Sequence, residues 1–290
     1  MALAQQYTVA DLLDAYTREY LPHQAPTTQR RKQYQFVVIR EALGDIALTG
    51  LTAGRLRTWR DALSQQASPG TVMTYLHTLG AALTVAARDY EWLTGNPMTK
   101  VHKPTLSPER VRFLDQDEQR RLLGACQRSP CRLLYPLVLL ALTTGCRKME
   151  CLMLRWADVD LAQGVVRLER TKTRLKRGVP MPQITAAVFQ QWQTQASSLY
   201  VFPGVRSQPP DITRRWRWAV ARAGLEDFHF HDLRHTAASY LAMSGVRIED
   251  IAEILGHKNL QTTRRYRHLS PVYTAALVEK MAQQFIARGT

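Results

Sequence analysis

Apolar residues recur at three- and four-residue intervals along most of the chain, and one stretch near its middle breaks that rhythm. Val9, Leu12, Leu13, Tyr16 and Tyr20 fall on one helical face, opened by Thr8 and Asp11 as a variant capping box. The spacing predicts a second helix from about Thr28 to Leu43, ending at Gly44. A third, capped by Thr52, runs through Leu56, Trp59 and Leu63, and a long fourth opens at Ser68 and Pro69 and carries Leu76, Leu79, Leu83 and Ala87. These elements predict an all-helical bundle over residues 1–99. Asn96 and Pro97 end it, and residues 100–108, with Pro104, Pro108 and two lysines, read as a linker.

Residues 109–290 form the second expected domain. Asp115 caps a helix to about Gln127, and an apolar helix from Pro130 to Thr144 stops at Gly145. From Asp158 the period shortens: Val159, Leu161, Val165, Val166 and Leu168 suggest short strands, and RTKTRLKRGVPMP closes a hairpin with Lys172, Arg174, Lys176 and Arg177 at its tip. Helical spacing returns at Pro182–Ala196, gives way to an extended Leu199–Pro203, and resumes from about Ile212 to Ala223. A helix from His231 to Ser244 would bury Leu233, Ala237, Tyr240 and Leu241 and end at Gly245. A shorter one buries Ile248, Ile251, Ile254 and Leu255 and stops at Gly256; Asn259 caps a third that carries Tyr266 about two turns on. The segment from Pro271 to Arg288, with Leu277, Val278 and Met281, reads as an amphipathic tail helix that folds onto its own domain or docks on a neighbouring copy. The expected fold class is mainly α with a small β-sheet, in two domains.

Composition narrows the partners. The longest apolar run, Leu133 to Thr144, is broken by Pro136 and followed by Arg147, too short and interrupted to span a bilayer. The start, MALAQQYT, has neither a basic leader nor an apolar signal core, so a cytoplasmic location without a membrane partner is expected. Net charge is +15 and the pI about 10.0, pointing to a polyanionic partner. Residues 1–104 hold 11 Lys and Arg against 8 Asp and Glu, and the remainder 28 against 16, so the excess sits in the second domain. Nucleic acid is the natural partner, with binding that weakens steeply as salt rises. Cys126, Cys131, Cys146 and Cys151 form no CxxC pair and no zinc spacing, which leaves buried reduced thiols as the default. Cys146, next to Arg147, is the one expected to meet thiol reagents.

Between His231 and Tyr266 the chain carries two imidazoles that move protons near neutral pH, His231 and His257, a guanidinium suited to phosphate, Arg234, and a phenol, Tyr266. That set suits phosphoryl transfer without a metal or other cofactor. Two plainer readings stand beside it. HDLRH can be an ordinary helix start with Asp232 at the positive end of the dipole, and Ile248 to Tyr266 can be a helix-turn-helix with Arg264, Arg265 and Arg267 in a DNA groove.

HDLRHT, LGH and QTTRRYRHLS, in that order, resemble the carboxy-terminal signature of the tyrosine recombinases, the family of phage integrases and Xer-type enzymes. The resemblance implies that His231, Arg234, His257 and Tyr266 are catalytic. TGCRKMECLMLRWADVD resembles the first box of that family and adds Arg147 as a phosphate clamp, with Glu150 orienting it. It also implies a hairpin lysine that protonates the leaving 5′ oxygen: Lys172 in TKT matches, with Lys176 as a rival. The helical bundle is similar to the family's core-binding domain, with no arm-site-binding segment expected ahead of it, and residues 109–290 to its α+β catalytic domain. Candidate DNA contacts are Arg30, Arg31, Lys32, Arg55, Arg57 and Arg60 in the first domain and Arg174, Lys176, Arg214, Arg215 and Arg217 in the second.

A member of this family would be a site-specific recombinase. It cuts and rejoins DNA through a 3′-phosphotyrosyl link, acts on paired inverted repeats as a tetramer assembled on duplex DNA, and in some cases works with accessory DNA-bending proteins. A type IB topoisomerase-like enzyme that relaxes supercoils, or a DNA-binding protein without catalysis, are the alternatives.

Overall fold

The computed structural model describes residues 7–106, 111–168, 177–205, 208–257 and 259–269, together with Val278, Glu279 and Gln283. The chain divides into two compact units, residues 1–109 and 110–290.

The first unit is built from α1 (Val9–Glu19), α2 (Pro26–Leu43), α3 (Ala53–Ser64) and α4 (Pro69–Arg88). Polar caps fix three of the four starts: Thr8 and Asp11 bond reciprocally in a capping box, and the hydroxyls of Thr52 and Ser68 accept from Arg55 and Thr71 N–H groups. α2 begins at Pro26 rather than Thr28, since proline at the first helical position gives up no hydrogen bond. Leu12, Leu13, Ile39, Leu56, Leu76, Leu79 and Leu83 meet in one core. That core continues past residue 99: a 3-10 turn, Pro97–Lys100, buries Met98 and then Val101 against it, and Arg60 donates to the His102 carbonyl at 2.7 Å. The first residues of the expected linker are therefore packed on the bundle.

The second unit holds α5 (Gln116–Gln127), α6 (Leu134–Thr144), α7 (Lys148–Leu152), α8 (Gln183–Gln193), α9 (Thr213–Arg222), α10 (Asp232–Met243), α11 (Ile248–Leu255) and α12 (Gln261–Arg264). Its three strands, β1 (Val159–Asp160), β2 (Val165–Leu168) and β3 (Arg177–Pro180), form an antiparallel sheet in the order β1-β2-β3. α6 starts at Leu134, not Pro130; this places Pro136 in the first turn, where its missing N–H has no helical partner to lose. Among the described residues no helix is long and apolar enough to cross a membrane.

Two expectations about the last helices are corrected. On α10 the fully buried apolar side chains are Leu233, Ala238 and Ala242, while Ala237, Tyr240 and Leu241 are only partly covered. The third helix is four residues long. Leu260, not the expected Asn259, holds the N-cap position and gives no side-chain cap, although the Asn259 side chain accepts from the Gln261 N–H at 2.9 Å; β-branched Thr262 and Thr263 favour helix weakly and Tyr266 turns into the core. Tyr266 thus stands between α12 and a 3-10 turn, Arg267–Leu269, rather than two turns along a helix. The tail from Pro271 to Arg288 lies outside the described residues except for Val278, Glu279 and Gln283.

Candidate active site

Two left-handed glycines frame the site. Gly145 ends α6 at φ 65° and Gly256 ends α11 at φ 67°, a conformation that costs other residues roughly 1 kcal/mol. Each is also a close approach: a methyl group at Gly145 would strike the Leu255 side chain, and one at Gly256 would come within 2.5 Å of Arg177 Nη1. The two turns are laced by arginines. Arg234, on α10, donates from Nη1 to the Gly145 carbonyl at 2.8 Å and from Nη2 to the Leu255 carbonyl at 2.7 Å. Arg147, two residues after the first turn, donates from Nη2 to the Gly256 carbonyl at 3.2 Å and from Nη1 to Glu150 at 2.9 Å. Each guanidinium has five N–H donors, so both keep donors for a further acceptor.

Glu150 is the anion inside this frame. Its side chain is 5% exposed, and it accepts from the Arg147 N–H and guanidinium and from Arg177 Nη2 at 2.8 Å. Burial pushes its carboxyl upward, but these donors more than offset that and hold its pKa below the ordinary carboxylate value. Burial and the nearby Arg147 bring Arg234 down to about 10. Three guanidinium groups, from Arg147, Arg177 and Arg234, surround a single carboxylate, which leaves the site with excess positive charge.

The two histidines flank it. His231 caps α10 and is exposed, yet enough protein surrounds the ring that burial, then Arg234 and Arg147, lower its pKa. His257 follows Gly256, is half-buried, and drops to about 3 through burial and then Arg234, Arg147, Arg265 and Arg177. It is a neutral imidazole at pH 7. Its Nδ1 lies 2.7 Å from the hydroxyl of fully buried Thr263, and if that hydroxyl donates, the ring proton sits on Nε2, where it can serve an anionic oxygen.

Tyr266 is 2% exposed and packs with Ala238, Ala242, Ile251 and Leu255. Its hydroxyl lies 2.5 Å from Nδ1 of buried His235, whose ring meets that of His231 edge-on at 5.1 Å. Lys172, Arg174 and Lys176 lie outside the described residues.

Other expected residues divide by environment. Arg30, Arg31, Arg55 and Arg57 are exposed on the first unit. Lys32 is not available there: it is buried, with its ammonium 2.7 Å from the Tyr16 hydroxyl and over the Tyr16 ring. Arg60 is held by Asp61 and the His102 carbonyl. On α9, Arg214, Arg215 and Arg217 are exposed beside Trp218, while Trp216 is in the core against Phe228 and Phe230. Cys146 is 2% exposed, which removes it as a site for thiol reagents in the folded state.

Three contributors were passed over in the sequence. Arg177, expected at the hairpin tip, is instead on the buried face, because β3 pairs Leu168 with Arg177 and Val166 with Val179. The signal was Val179, two residues on and so on the same side of the strand. His235, four residues after His231, shares its helix face. Thr263 gave no sign beyond lying within reach of LGH.

The profile of the phage integrase family matches residues 112–272, more than half of the chain. The chain belongs to the phage integrase family. Among curated proteins it is 34% identical over 221 residues to the integrase of Salmonella phage P22, covering 71% of this chain and 55% of that one. It is 33% identical over 228 residues to the shufflon-specific DNA recombinase of Escherichia coli, covering 76% of this chain and 58% of that one. The chain thus spans little more than half the length of these relatives. Among solved structures, the Tn1549 transposon integrase in complex with transposon right end DNA superposes with a TM-score of 0.81 at 18% identity, covering 95% of this chain and 100% of that chain. At that identity the likeness concerns the fold, a mostly helical chain carrying the small sheet of the tyrosine recombinase catalytic domain.

Proposed function

We propose that this chain is a site-specific DNA recombinase that cuts and rejoins strands through a 3′-phosphotyrosyl intermediate. The observation that carries the reading is the convergence of Arg147, Arg234 and neutral His257 on the two glycine turns, with Tyr266 packed against the same α10 and α11. A phosphodiester resists attack because its charge repels nucleophiles and its alkoxide leaves poorly. Guanidinium donors already fixed by carbonyls and Glu150 suit the non-bridging oxygens as charge grows in the transition state. His257 would add a neutral donor. Tyr266 would attack phosphorus, with His231 receiving the phenolic proton. Lys172, or Lys176, would protonate the departing 5′ oxygen. The covalent link conserves the bond energy, so a 5′ hydroxyl from another strand can reseal the DNA without ATP.

The partner would be duplex DNA with paired inverted repeats, bound by exposed Arg30, Arg31, Arg55 and Arg57 of a core-binding unit and by Arg214, Arg215 and Arg217 of α9, in the cytoplasm. Strand exchange needs two cut duplexes, hence a tetramer on DNA, with the tail helix as the exchanged element and accessory DNA-bending proteins as further partners. The P22 and shufflon relatives, by their names an integrase and a recombinase, favour this over a topoisomerase-like enzyme.

The test is covalent trapping. A library of nicked random duplexes is incubated with the chain, and DNA that stays attached on a denaturing gel is recovered and sequenced. Tyr266→Phe should abolish attachment and leave binding by gel shift nearly unchanged. Attachment that persists in Tyr266→Phe sinks the reading.

A further inference from the structure

We infer that Arg177 is a positioning residue for the phosphate clamp, acting through Arg147; this rests on the recombinase reading above. Arg147 is held at two points, Glu150 on Nη1 and the Gly256 carbonyl on Nη2. Arg177 stands behind both. Its Nη2 bonds the second oxygen of Glu150 at 2.8 Å, leaving the first oxygen to Arg147, and its guanidinium and Cδ lie along the Gly256 Cα, where no side chain could fit. The carboxylate is therefore fixed in orientation through the oxygen that the Arg147 guanidinium does not use, and the turn carrying the other anchor is backed by the same Arg177 guanidinium.

The burial of Arg177 sets it apart from a solvated strand arginine. Its side chain is 8% exposed, and among the described residues its Nε and Nη1 are buried without a hydrogen-bond partner. Enclosing a guanidinium in this way is unfavourable unless a buried partner needs it, and Glu150 is that partner. A plain structural ion pair would require only Glu150. Contact with both anchors of one arginine points instead to holding that arginine in place, which matters because a displacement of about 1 Å at a phosphate clamp costs on the order of 100-fold in rate.

The experiment uses the full chain and a nicked duplex selected by covalent capture on the wild-type protein. Single-turnover attachment, gel-shift affinity and thermal melting are measured for Arg177→Met, Arg177→Lys, Arg147→Ala and the double variant Arg147→Ala/Arg177→Met. We expect Arg177→Met to slow attachment by roughly 10- to 100-fold with affinity within about threefold, and Arg177→Lys, which keeps the charge beside Glu150, to recover part of the loss. In the Arg147→Ala background, Arg177→Met should add almost nothing, because it acts through the missing group. Equal losses in both backgrounds would overturn the assignment while leaving the recombinase reading intact. So would an Arg177→Lys chain that melts like wild type yet attaches as slowly as Arg177→Met. A wild-type chain that captures no duplex overturns the recombinase reading, and this assignment with it.

Discussion

The Tyr266 hydroxyl and His235 Nδ1 lie 2.5 Å apart inside a small apolar cluster, so the phenol proposed as nucleophile is enclosed and already hydrogen-bonded. Attack on a phosphodiester requires it to leave this position. His235→Ala removes this ring partner and makes the buried hydroxyl less well satisfied, which favours the exposed position by roughly 1–1.5 kcal/mol, or about tenfold. We expect initial attachment to speed up by about that factor, and His235→Gln, whose amide offers both a donor and an acceptor, to lie closer to wild type. Slower attachment in His235→Ala would show instead that the bond serves the chemistry.

Arg147→Ala and Arg234→Ala should each reduce attachment by roughly 10² to 10³, the scale for removing one transition-state donor, with a far smaller effect on affinity. They should differ in stability. Arg234 serves two carbonyls from a buried position, whereas Arg147 is partly exposed, so Arg234→Ala should melt at the lower temperature. Attachment and affinity that fall in parallel would make both arginines general DNA contacts.

Acid should weaken the second unit through its histidines. His257 titrates near 3 when folded against an ordinary 6.5, and His231 is shifted in the same direction. Between those values the unfolded chain binds more protons than the folded one, so this contribution is complete above about 6.5 and is lost as pH falls toward 3. Melting temperature recorded from pH 7.5 to 5 should decline, and His257→Gln should decline less steeply. Parallel curves for the two proteins would contradict the shift.

Gly256→Ala should destabilise by about 1–3 kcal/mol, because alanine is strained at φ 67° and its methyl group meets Arg177. Attachment should fall as well, since the Gly256 carbonyl anchors Arg147. Differential scanning calorimetry beside the trapping assay checks both; an alanine variant with unchanged melting would mean the turn relaxes freely.

Much of this was legible in the chain itself. Helix starts at Thr8, Thr52, Ser68 and Asp115 and stops at Gly145 and Gly256 are written in local chemistry, because caps and left-handed glycines act within a few residues. The motifs named Arg147, Arg234, His231, His257 and Tyr266. Hidden were relationships that depend on tertiary packing: the inward turn of Arg177, the burial of Lys32 against Tyr16, and the bond between His235 and Tyr266. A basic residue reads as solvated until the neighbour that encloses it is known.

The lacing of the two glycine turns has a consequence for the order of events during synthesis. Arg147 reaches a carbonyl 109 residues further along the chain, and Gly145 waits for a guanidinium 89 residues away. A nascent chain that has emerged only through α9 holds Arg147 and Glu150 but neither Arg234 nor the Gly256 carbonyl. The clamp is complete only once the last segments have been made, so a polypeptide cut short by a premature stop before Gly256 would hold Arg147 without the carbonyl that anchors it and without the Tyr266 phenol.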